Sequence, residues 1–261
     1  MISDLRRLAK SRDLLYMLTW RDIRVRYKQS LMGFLWAILM PALVVGAGVF
    51  VRIAAASWSG TAITSEAIAS VMVRAVVWSF FIASIRFSTG SLISNPNLVT
   101  KIAFPKEVFP ISAVLSNLFD FAVAAVAVAA ILVVAGWTPS LHALWVFPLL
   151  LTLLALTVGM AFILSAANLF FRDVKYLVEV FLTYAIFFTP VIYDAGDVGK
   201  WKNVLLLNPV APLLEGVAGC VIRAADPDLL WTLYSLIFSI GLLVFGYWLF
   251  KQLEEQFAEA I

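Results

Sequence analysis

The fold follows from residues 20–41, WRDIRVRYKQSLMGFLWAILMP, in which a strongly basic segment runs directly into a long apolar one. The cations of this segment are Arg21, Arg24, Arg26 and Lys28. After Lys28 the next charged residue is Arg52, so the apolar segment is long enough to enter a bilayer. Lys and Arg at the end of a spanning helix favour the cytoplasmic side, and aromatic rings favour the headgroup region. The stretch therefore predicts where the chain enters a membrane and in which orientation.

The overall composition is that of an integral membrane protein. Of the 261 residues, 63% are hydrophobic and only 13% are charged, whereas about 25% are charged in ordinary soluble domains. The apolar residues come in runs of about 20, the length of a helix that crosses a hydrocarbon core of roughly 30 Å. The single Cys220 excludes an internal disulfide. No cleavable signal peptide is expected, because the first apolar run begins only near residue 31. An all-α polytopic membrane protein is predicted.

The apolar runs predict six transmembrane helices. They lie at roughly 32–53, 68–88, 111–136, 141–167, 174–193 and 229–250. With a cytoplasmic N-terminus, the inside segments hold 14 of the 19 Lys and Arg residues, the outside segments hold four, and Arg74 lies within a span. This bias predicts that both termini are cytoplasmic.

The segment before the first span, residues 1–30, is predicted to be a cytoplasmic amphipathic helix lying in the membrane interface. Its apolar residues recur at spacings of three and seven, and most of its Arg and Lys residues fall elsewhere around the helix. The apolar residues of this face are Leu5, Leu8, Leu15, Leu18 and Val25. The alternative is a solvated basic tail. The remainder of the chain, 31–261, is expected to form one transmembrane domain.

A short helix is predicted between the second and third spans. Asn95-Pro96 favours a turn, residues 97–103 can make two helical turns, and Pro105 and Pro110 prevent smooth continuation into the next span. A short cytoplasmic helix held between prolines can dock on a soluble partner and transmit motion to the membrane. The alternative is a plain connecting loop.

The segment between the fifth and sixth spans predicts short re-entrant helices at 194–228 on the external face. Residues 189–228 are moderately apolar but repeatedly broken by Pro and Gly, so neither half can span comfortably. Non-helical backbone at membrane depth persists only where protein or a water-filled cavity satisfies its polar groups. This pattern is typical of a gate or pore mouth, and the alternative is a loop lying on the headgroups.

Three ionisable residues, Arg74, Asp120 and Glu179, fall within predicted spans. Such a charge costs roughly 2.5–3.5 kcal/mol to insert, so each is expected to face a partner or a wet cavity. Arg74 and Asp120 can pair with each other between the second and third spans, and Glu179 can pair with Lys175 at i, i+4 spacing. Packing and a role in a transport path both remain open for these residues.

An aromatic stripe on the predicted fifth span consists of Phe181, Tyr184 and Phe188, spaced i, i+3 and i+7. Sugars stack their C–H faces on aromatic rings, so such a stripe suits a polysaccharide path. Ordinary helix packing is the alternative.

Several common site motifs are missing from the sequence. There is no G-x-x-x-x-G-K-[ST] phosphate loop, so the chain is not expected to bind ATP in that way. The sole histidine, His142, cannot form a cluster, and H-E-x-x-H is absent. Asp194 with Asp197 and Asp226 with Asp228 are weak metal signals, for which turn and capping roles are favoured. No metal site is predicted.

Several motifs together carry a resemblance to a known family. They are RDIRVRYKQS at 21–30, GFLW at 33–36, KIAFPKEVFP at 101–110, FRDV at 171–174, FTPVIY at 188–193 and LNP at 207–209. The chain resembles the permease subunit of ABC-2 type exporters, in the branch that exports O-antigen, capsule or teichoic-acid polysaccharides on a lipid carrier. The match runs from about residue 15 to 250 in the order of that family.

The resemblance implies a transport subunit and not an enzyme. It implies a homodimer of six-span subunits in the bacterial inner membrane, joined to two copies of a separate ABC ATPase subunit that binds ATP and Mg. This chain itself would carry no cofactor and would bind no nucleic acid. Its substrate would be an undecaprenyl-type lipid-linked polysaccharide.

The resemblance also implies roles for individual positions. Residues 95–103 would form the coupling helix on the ATPase, with coupling residues Asn95, Asn97, Leu98, Lys101, Phe104 and Pro105. The lipid head would enter beside Arg21, Arg24, Arg26 and Lys28. The channel would be lined by Phe34, Phe181, Tyr184 and Phe188. Residues 194–228 would form the external gate.

Two rival functions remain at this point. An ABC-2 exporter of a drug or small lipid shares the same architecture. A polytopic membrane transferase is the rival from a different class, and the lack of an acidic metal motif argues against it.

Overall fold

The computed structural model describes residues 11–28, 33, 35–59, 64–101 and 104–257, and the regular structure within them is entirely helical. The α-helices are α1 (Arg12–Lys28), α2 (Leu35–Ser59), α3 (Ser65–Thr89), α4 (Pro96–Lys101), α5 (Val108–Val134), α6 (Val146–Phe170), α7 (Val174–Ala185), α8 (Lys202–Leu206), α9 (Val210–Ile222) and α10 (Leu229–Leu253). Short 3₁₀ turns precede α6 and α8 and follow α7 and α10. The predicted all-helical fold is confirmed.

Five helical segments within the described residues are long and apolar enough to cross a membrane. They are Leu35–Ala54, Ser65–Thr89, Val108–Val134, Leu141–Phe170 and Leu229–Gln256. Each coincides with a predicted span, so this is a multi-pass membrane protein. The predicted fifth span, 174–193, contains only the 12 residues of α7 and a 3₁₀ turn, Ile186–Phe188. A sixth span therefore remains a prediction.

The bundle is built around α3, which is apolar on all sides and is the most deeply buried of the five long helices. A helix that is hydrophobic all round lies either in the core of a large protein or within a membrane. α2, α5, α6 and α9 pack against α3, and its buried Trp78, Phe80, Phe81 and Ile85 lie in the main core cluster. The other long helices expose apolar faces, as lipid-facing or partner-facing helices do.

α6 and α10 are in direct backbone contact at two glycines, Gly159 and Gly246. A Cβ atom added at Gly159 in α6 would lie 2.8 Å from the Leu243 nitrogen of α10. One added at Gly246 would overlap the carbonyl oxygen of Gly159. Small residues allow membrane helices to approach closely and to gain van der Waals contact along their length. The two helices therefore pack in close backbone contact at Gly159 and Gly246.

A second hydrophobic cluster joins elements that are distant in sequence at one end of the bundle, which we call the α1 end. It includes Leu18 of α1, Val99 of α4, Leu169 of α6 and Phe257, which follows α10. The beginning of α5 and the end of α10 also contribute to this cluster. The N-terminal helix, the short helix α4 and the C-terminal end of the last long helix thus meet at one place.

α1 packs along the first half of α5. Leu18 and Ile23 are buried and Leu15 is half-buried, whereas Val25 is 71% exposed. Leu18 therefore packs against the bundle and Val25 does not, and the placement of α1 in the membrane interface stays a prediction. Leu5 and Leu8 lie outside the described residues.

The opposite end of the bundle, which we call the far end, carries the short helices between α7 and α10. His142 Nδ1 lies 2.8 Å from Asp226 Oδ1, which places the start of α6 beside the start of α10. α9 is apolar and largely buried against α3 and α6. Asp194 and Asp197 form a reciprocal capping box on the 3₁₀ segment Ala195–Trp201, the capping role expected for this pair. Short helices are present in 194–228, and their re-entrant, external placement remains a prediction.

Candidate functional site

α4 is a six-residue helix at the α1 end. The Asn95 side chain holds the chain before it by donating from Nδ2 to the Ser91 carbonyl, 2.9 Å away. Val99 is buried in the cluster beneath, while Asn97 and Thr100 are exposed. α4 therefore rests on the bundle with one face and leaves the other exposed.

Side chains on both sides fix α4 in place. Arg21 Nη1 of α1 donates to Asn95 Oδ1 at 3.0 Å, and Lys106 Nζ donates to the Leu98 carbonyl at 3.4 Å. The Phe104 ring packs against the Phe109 ring of α5 at 5.5 Å. Three of the six predicted coupling positions, Asn95, Leu98 and Phe104, thus make contacts that hold α4 and the residues beside it in place. The Lys101 side chain lies outside the described atoms.

The four cations of the basic segment have different environments. Arg21 bonds Asn95 and Asp22, and Arg24 lies 5.8 Å from the Trp20 ring centre on the exposed side of α1. Lys28 is also exposed. Arg26, in contrast, points into the bundle. Only some of these cations are available to an anionic ligand.

Arg26 and the adjacent Tyr27 both bind Asp120 of α5. Arg26 forms an ion pair with Asp120, donates to Asn117 Oδ1 at 3.2 Å, and lies 4.4 Å from the centre of the Phe87 ring. The Tyr27 hydroxyl donates to the same carboxylate, and burial together with Asp120 raises the pKa of Tyr27. These contacts anchor the C-terminal end of α1 to α5. They also close one side of a cavity of about 540 Å³ that reaches α2, α3 and α7.

The predicted pairing of Arg74 with Asp120 is wrong, because Asp120 is taken by α1. Arg74 is fully buried, and its Nη1 donates to Asp194 Oδ1 at 2.8 Å and to Glu215 Oε1 at 2.6 Å. Arg52 Nη2 lies 2.8 Å from Asp194 Oδ2, and Arg223 Nη2 lies 3.5 Å from Glu215 Oε2. We call these five residues the far-end charge cluster.

The far-end charge cluster ties α2, α3 and α9 to the chain that follows α7. Burial alone would raise the pKa of the Asp194 carboxyl, but the charges of Arg74 and Arg52 hold that pKa below its ordinary value. The Ala195 amide also donates to Glu215 Oε1 at 3.1 Å. Arg74 Nε and Nη2 are buried without a hydrogen-bond partner among the described residues. The cluster thus connects α2 and α3 to the segment predicted to form the gate through several ion pairs.

The predicted pairing of Glu179 with Lys175 is also wrong. Glu179 Oε1 lies 2.9 Å from Arg86 Nε of α3. Both side chains are more than a third exposed, so the pair contributes little to stability. Its effect is to hold the first turns of α7 beside the end of α3.

The predicted aromatic stripe is on the surface of the chain. Phe181, Tyr184 and Phe188 are all exposed and border a cavity of about 710 Å³ that also touches α3, α6 and α10. Phe34, the fourth predicted channel residue, lies outside the described residues. An exposed aromatic face on a short helix suits contact with a ligand, with lipid or with a second copy of the chain.

Sequence reasoning missed two carboxylates that pair with distant cations. Glu215 stands in the apolar helix VAPLLEGVAGCVI, where a lone carboxylate could have been recognised as needing a cation. Glu107 is buried at the α1 end and binds Lys251 at 2.8 Å. Nothing local to Glu107 marks it for burial, since its partner is 144 positions away. No group of three potential metal ligands occurs in the described part of the chain.

Comparison with protein families gives one match across most of the chain. Residues 13–222 match the family described as ABC-2 type transporter. The matched region includes α1, α4 and the short helices up to the end of α9.

Curated relatives match the chain over nearly their whole length. An O-antigen export system permease protein RfbA from Myxococcus xanthus is 29% identical over 269 residues and covers 100% of both chains. Two proteins of the same name from Klebsiella pneumoniae are 28% identical over 258 residues and cover 95% of each chain. Because the family match extends over residues 13–222, the chain belongs to the ABC-2 type transporter family, as a membrane transport subunit and not an enzyme.

Proposed function

We propose that this chain is the permease subunit of an ATP-driven exporter that moves a lipid-linked, O-antigen-like polysaccharide across the bacterial inner membrane. The observation that carries the proposal is the full-length similarity to three curated relatives named O-antigen export permeases. ATP and Mg would be bound by a separate ATPase subunit, because the phosphate loop is absent from this sequence. This chain would supply the path.

Six crossings and cytoplasmic termini fit the geometry. Leu18 of α1 and Phe257 share one cluster, so an even number of crossings separates them. Asn168 donates to the Thr89 carbonyl at 2.9 Å at the end of α6, whereas Asp226 lies at the far end. The chain must therefore cross once between α6 and α10. α7 and its 3₁₀ turn, about 24 Å long, are our candidate for this fifth of six spans.

In this arrangement the α1 end faces the cytoplasm, since the inside segments carry most Lys and Arg residues. Residues 1–30 form the interfacial helix and 31–261 the transmembrane domain. α4 is the coupling helix. Its exposed Asn97 and Thr100 face the ATPase, while buried Val99 and the bonds to Leu98 and Asn95 make it a firm lever. Closure of the ATPase around ATP pushes this lever and shifts the two subunits.

The anionic head of the lipid carrier is bound at α1. Arg24 and Lys28 are the most available cations, because both are exposed and form no ion pair among the described residues. Arg21 is shared with Asn95, and Arg26 is neutralised by Asp120. Arg26 therefore contributes by fixing α1, and the exposed pair supplies the charge that recognises the head.

The polymer path forms between two copies of the chain. The exposed Phe181, Tyr184 and Phe188 offer ring faces that grip sugars weakly, which lets a polymer advance without being trapped. Residues 194–228 form the external gate, and the far-end charge cluster fixes the gate to α2 and α3. A homodimer places this face and gate on both sides of one channel.

The proposal is tested by purifying the chain from its native membrane in mild detergent. We expect an ABC ATPase with a phosphate loop to copurify and the lipid extract to contain a lipid-linked polysaccharide. Asn97→Cys, labelled with a photoreactive maleimide, should cross-link to that ATPase. Cys220 is fully buried, so the new thiol is the accessible one.

Lys200→Cys is the matched control, because Lys200 is exposed at the far end. It should react with the label but give no cross-link to the ATPase. A copurified ATPase that cross-links from position 200 and not from 97 would overturn the orientation and the coupling role of α4.

A further inference from the structure

A buried ion pair joins the beginning of α5 to the end of α10. The Glu107 side chain is 1% exposed and lies at the N-cap position of α5 without capping it. Lys251 Nζ donates to Glu107 Oε2 at 2.8 Å, while Glu107 Oε1 has no hydrogen-bond partner among the described residues. A buried carboxylate without its cation is strongly destabilising. Lys251 is therefore held at Glu107.

Lys251 is also connected to α4, through Glu254 and Lys106. Lys251 Nζ donates to Glu254 Oε2 at 2.6 Å, and Glu254 Oε1 accepts from the backbone N–H of Lys106 at 3.1 Å. Lys106 Nζ in turn donates to the Leu98 carbonyl within α4. Polar contacts thus run without a gap from α4, through Lys106 and Glu254, to the last turn of α10.

The surroundings of this path are tightly packed. The Phe257 ring lies 5.1 Å from Phe250 and 6.1 Å from Phe170, and the Phe250 ring lies 5.3 Å from Phe162 of α6. α10 cannot slide freely against α6, because the two helices touch backbone to backbone at Gly159. A displacement of the path therefore moves α6 and α10 together or breaks its hydrogen bonds.

We propose that Glu254 and Lys251 are positioning residues that transmit displacement of α4 to α10 and, through it, to α6. The inference rests on the proposed function of α4 as the segment pushed by the ATPase. It adds a second route into the membrane beside the direct continuation of α4 into α5. By this route α10, which is remote from α4 in sequence, moves when α4 moves.

The test compares Glu254→Ala with Glu255→Ala in the complex purified with its ATPase. Glu254→Ala removes the link to Lys106 and leaves the Lys251–Glu107 pair intact, and Glu254 is part-exposed, so folding is preserved. Glu255 is the adjacent exposed carboxylate and makes none of these contacts. Glu254→Ala should lower the polysaccharide exported per ATP hydrolysed by about fivefold, the effect of cutting a coupling network. Glu255→Ala should match the parent.

Hydrogen exchange gives a readout that does not depend on the substrate. Adding a non-hydrolysable ATP analogue to the parent complex should change exchange in 96–109 and in 246–257. In Glu254→Ala the change should persist in 96–109 and vanish from 246–257. If the parent exports no polysaccharide, the proposed function fails, while this exchange measurement still decides on the transmission route.

Lys251 supplies a second pair of variants. Lys251→Met removes the contacts of Lys251 with Glu107 and Glu254, whereas Lys251→Arg keeps a cation that can reach both carboxylates. Because Lys251→Met also strands the buried Glu107, the two variants are compared as folded, monodisperse complexes. Lower export per ATP in the folded Lys251→Met complex, with recovery in Lys251→Arg, supports the route. An unchanged export ratio and unchanged exchange at 246–257 in Glu254→Ala would overturn it.

Discussion

Arg74→Met is expected to destabilise the protein by about 3–5 kcal/mol, the cost of leaving buried charge uncompensated. Arg74 is fully buried and supplies one nitrogen to both Asp194 and Glu215. Without it, Asp194 keeps its pair with Arg52 and Glu215 keeps only the longer contact with Arg223, so the two carboxylates lie close together with one cation fewer. The change should appear as a lower midpoint of thermal unfolding in detergent and as reduced yield of monodisperse protein.

Arg223→Met is the matched control within the same cluster. Its guanidinium lies 3.5 Å from Glu215 Oε2 and its side chain is 39% exposed, so its loss should cost no more than about 1 kcal/mol. Adding Glu215→Gln to Arg74→Met should recover part of the lost stability, since one of the stranded charges is then removed. Equal effects of Arg74→Met and Arg223→Met would contradict the buried cluster.

Gly159→Ala is expected to force α6 and α10 apart and to cost about 1–3 kcal/mol, the usual effect of overpacking. The added Cβ would lie 2.8 Å from the Leu243 nitrogen and 2.9 Å from the Leu242 carbonyl carbon. Both are backbone atoms, which cannot rotate away as a flexible side chain can. Gly246→Ala should act in the same way from the other side of the contact. The midpoint of thermal unfolding is the measurement.

Gly241→Ala provides the control in the same helix. No atom lies within 4 Å of a Cβ added at Gly241, so alanine there should be neutral or stabilise by up to about 1 kcal/mol. If Gly159→Ala and Gly241→Ala raise stability equally, the close contact between α6 and α10 does not exist.

Hydropathy alone predicted the five long helices, because each is continuous in sequence and its apolar length is a local property. It overstated the length of the helix at the fifth predicted span, also for a local reason. Apolar residues continue to Tyr193, but the helix ends at Ala185, and Thr189-Pro190 then lies in a turn. An apolar run therefore overstates helix length where a proline interrupts it.

The charge partners could not be predicted, because they depend on how the helices pack. Arg74 pairs with Asp194 and Glu215, which follow it by 120 and 141 positions in the sequence. Glu107 pairs with Lys251, 144 positions further along. Asp120, the partner predicted for Arg74, instead forms an ion pair with Arg26 of α1. α4 was predictable because its turn and prolines are local, whereas its attachment to α10 was not.

Transport by the purified complex tests the central claim most directly, namely that this chain is the membrane path of an ATP-driven polysaccharide exporter. The complex is reconstituted into liposomes with lipid-linked polysaccharide from the same membrane, and glycan exposed on the opposite face is measured with a glycosidase. We expect exposure of the glycan to require both ATP and the ATPase subunit. ATP-dependent movement of a small lipid with no movement of the polysaccharide would contradict it.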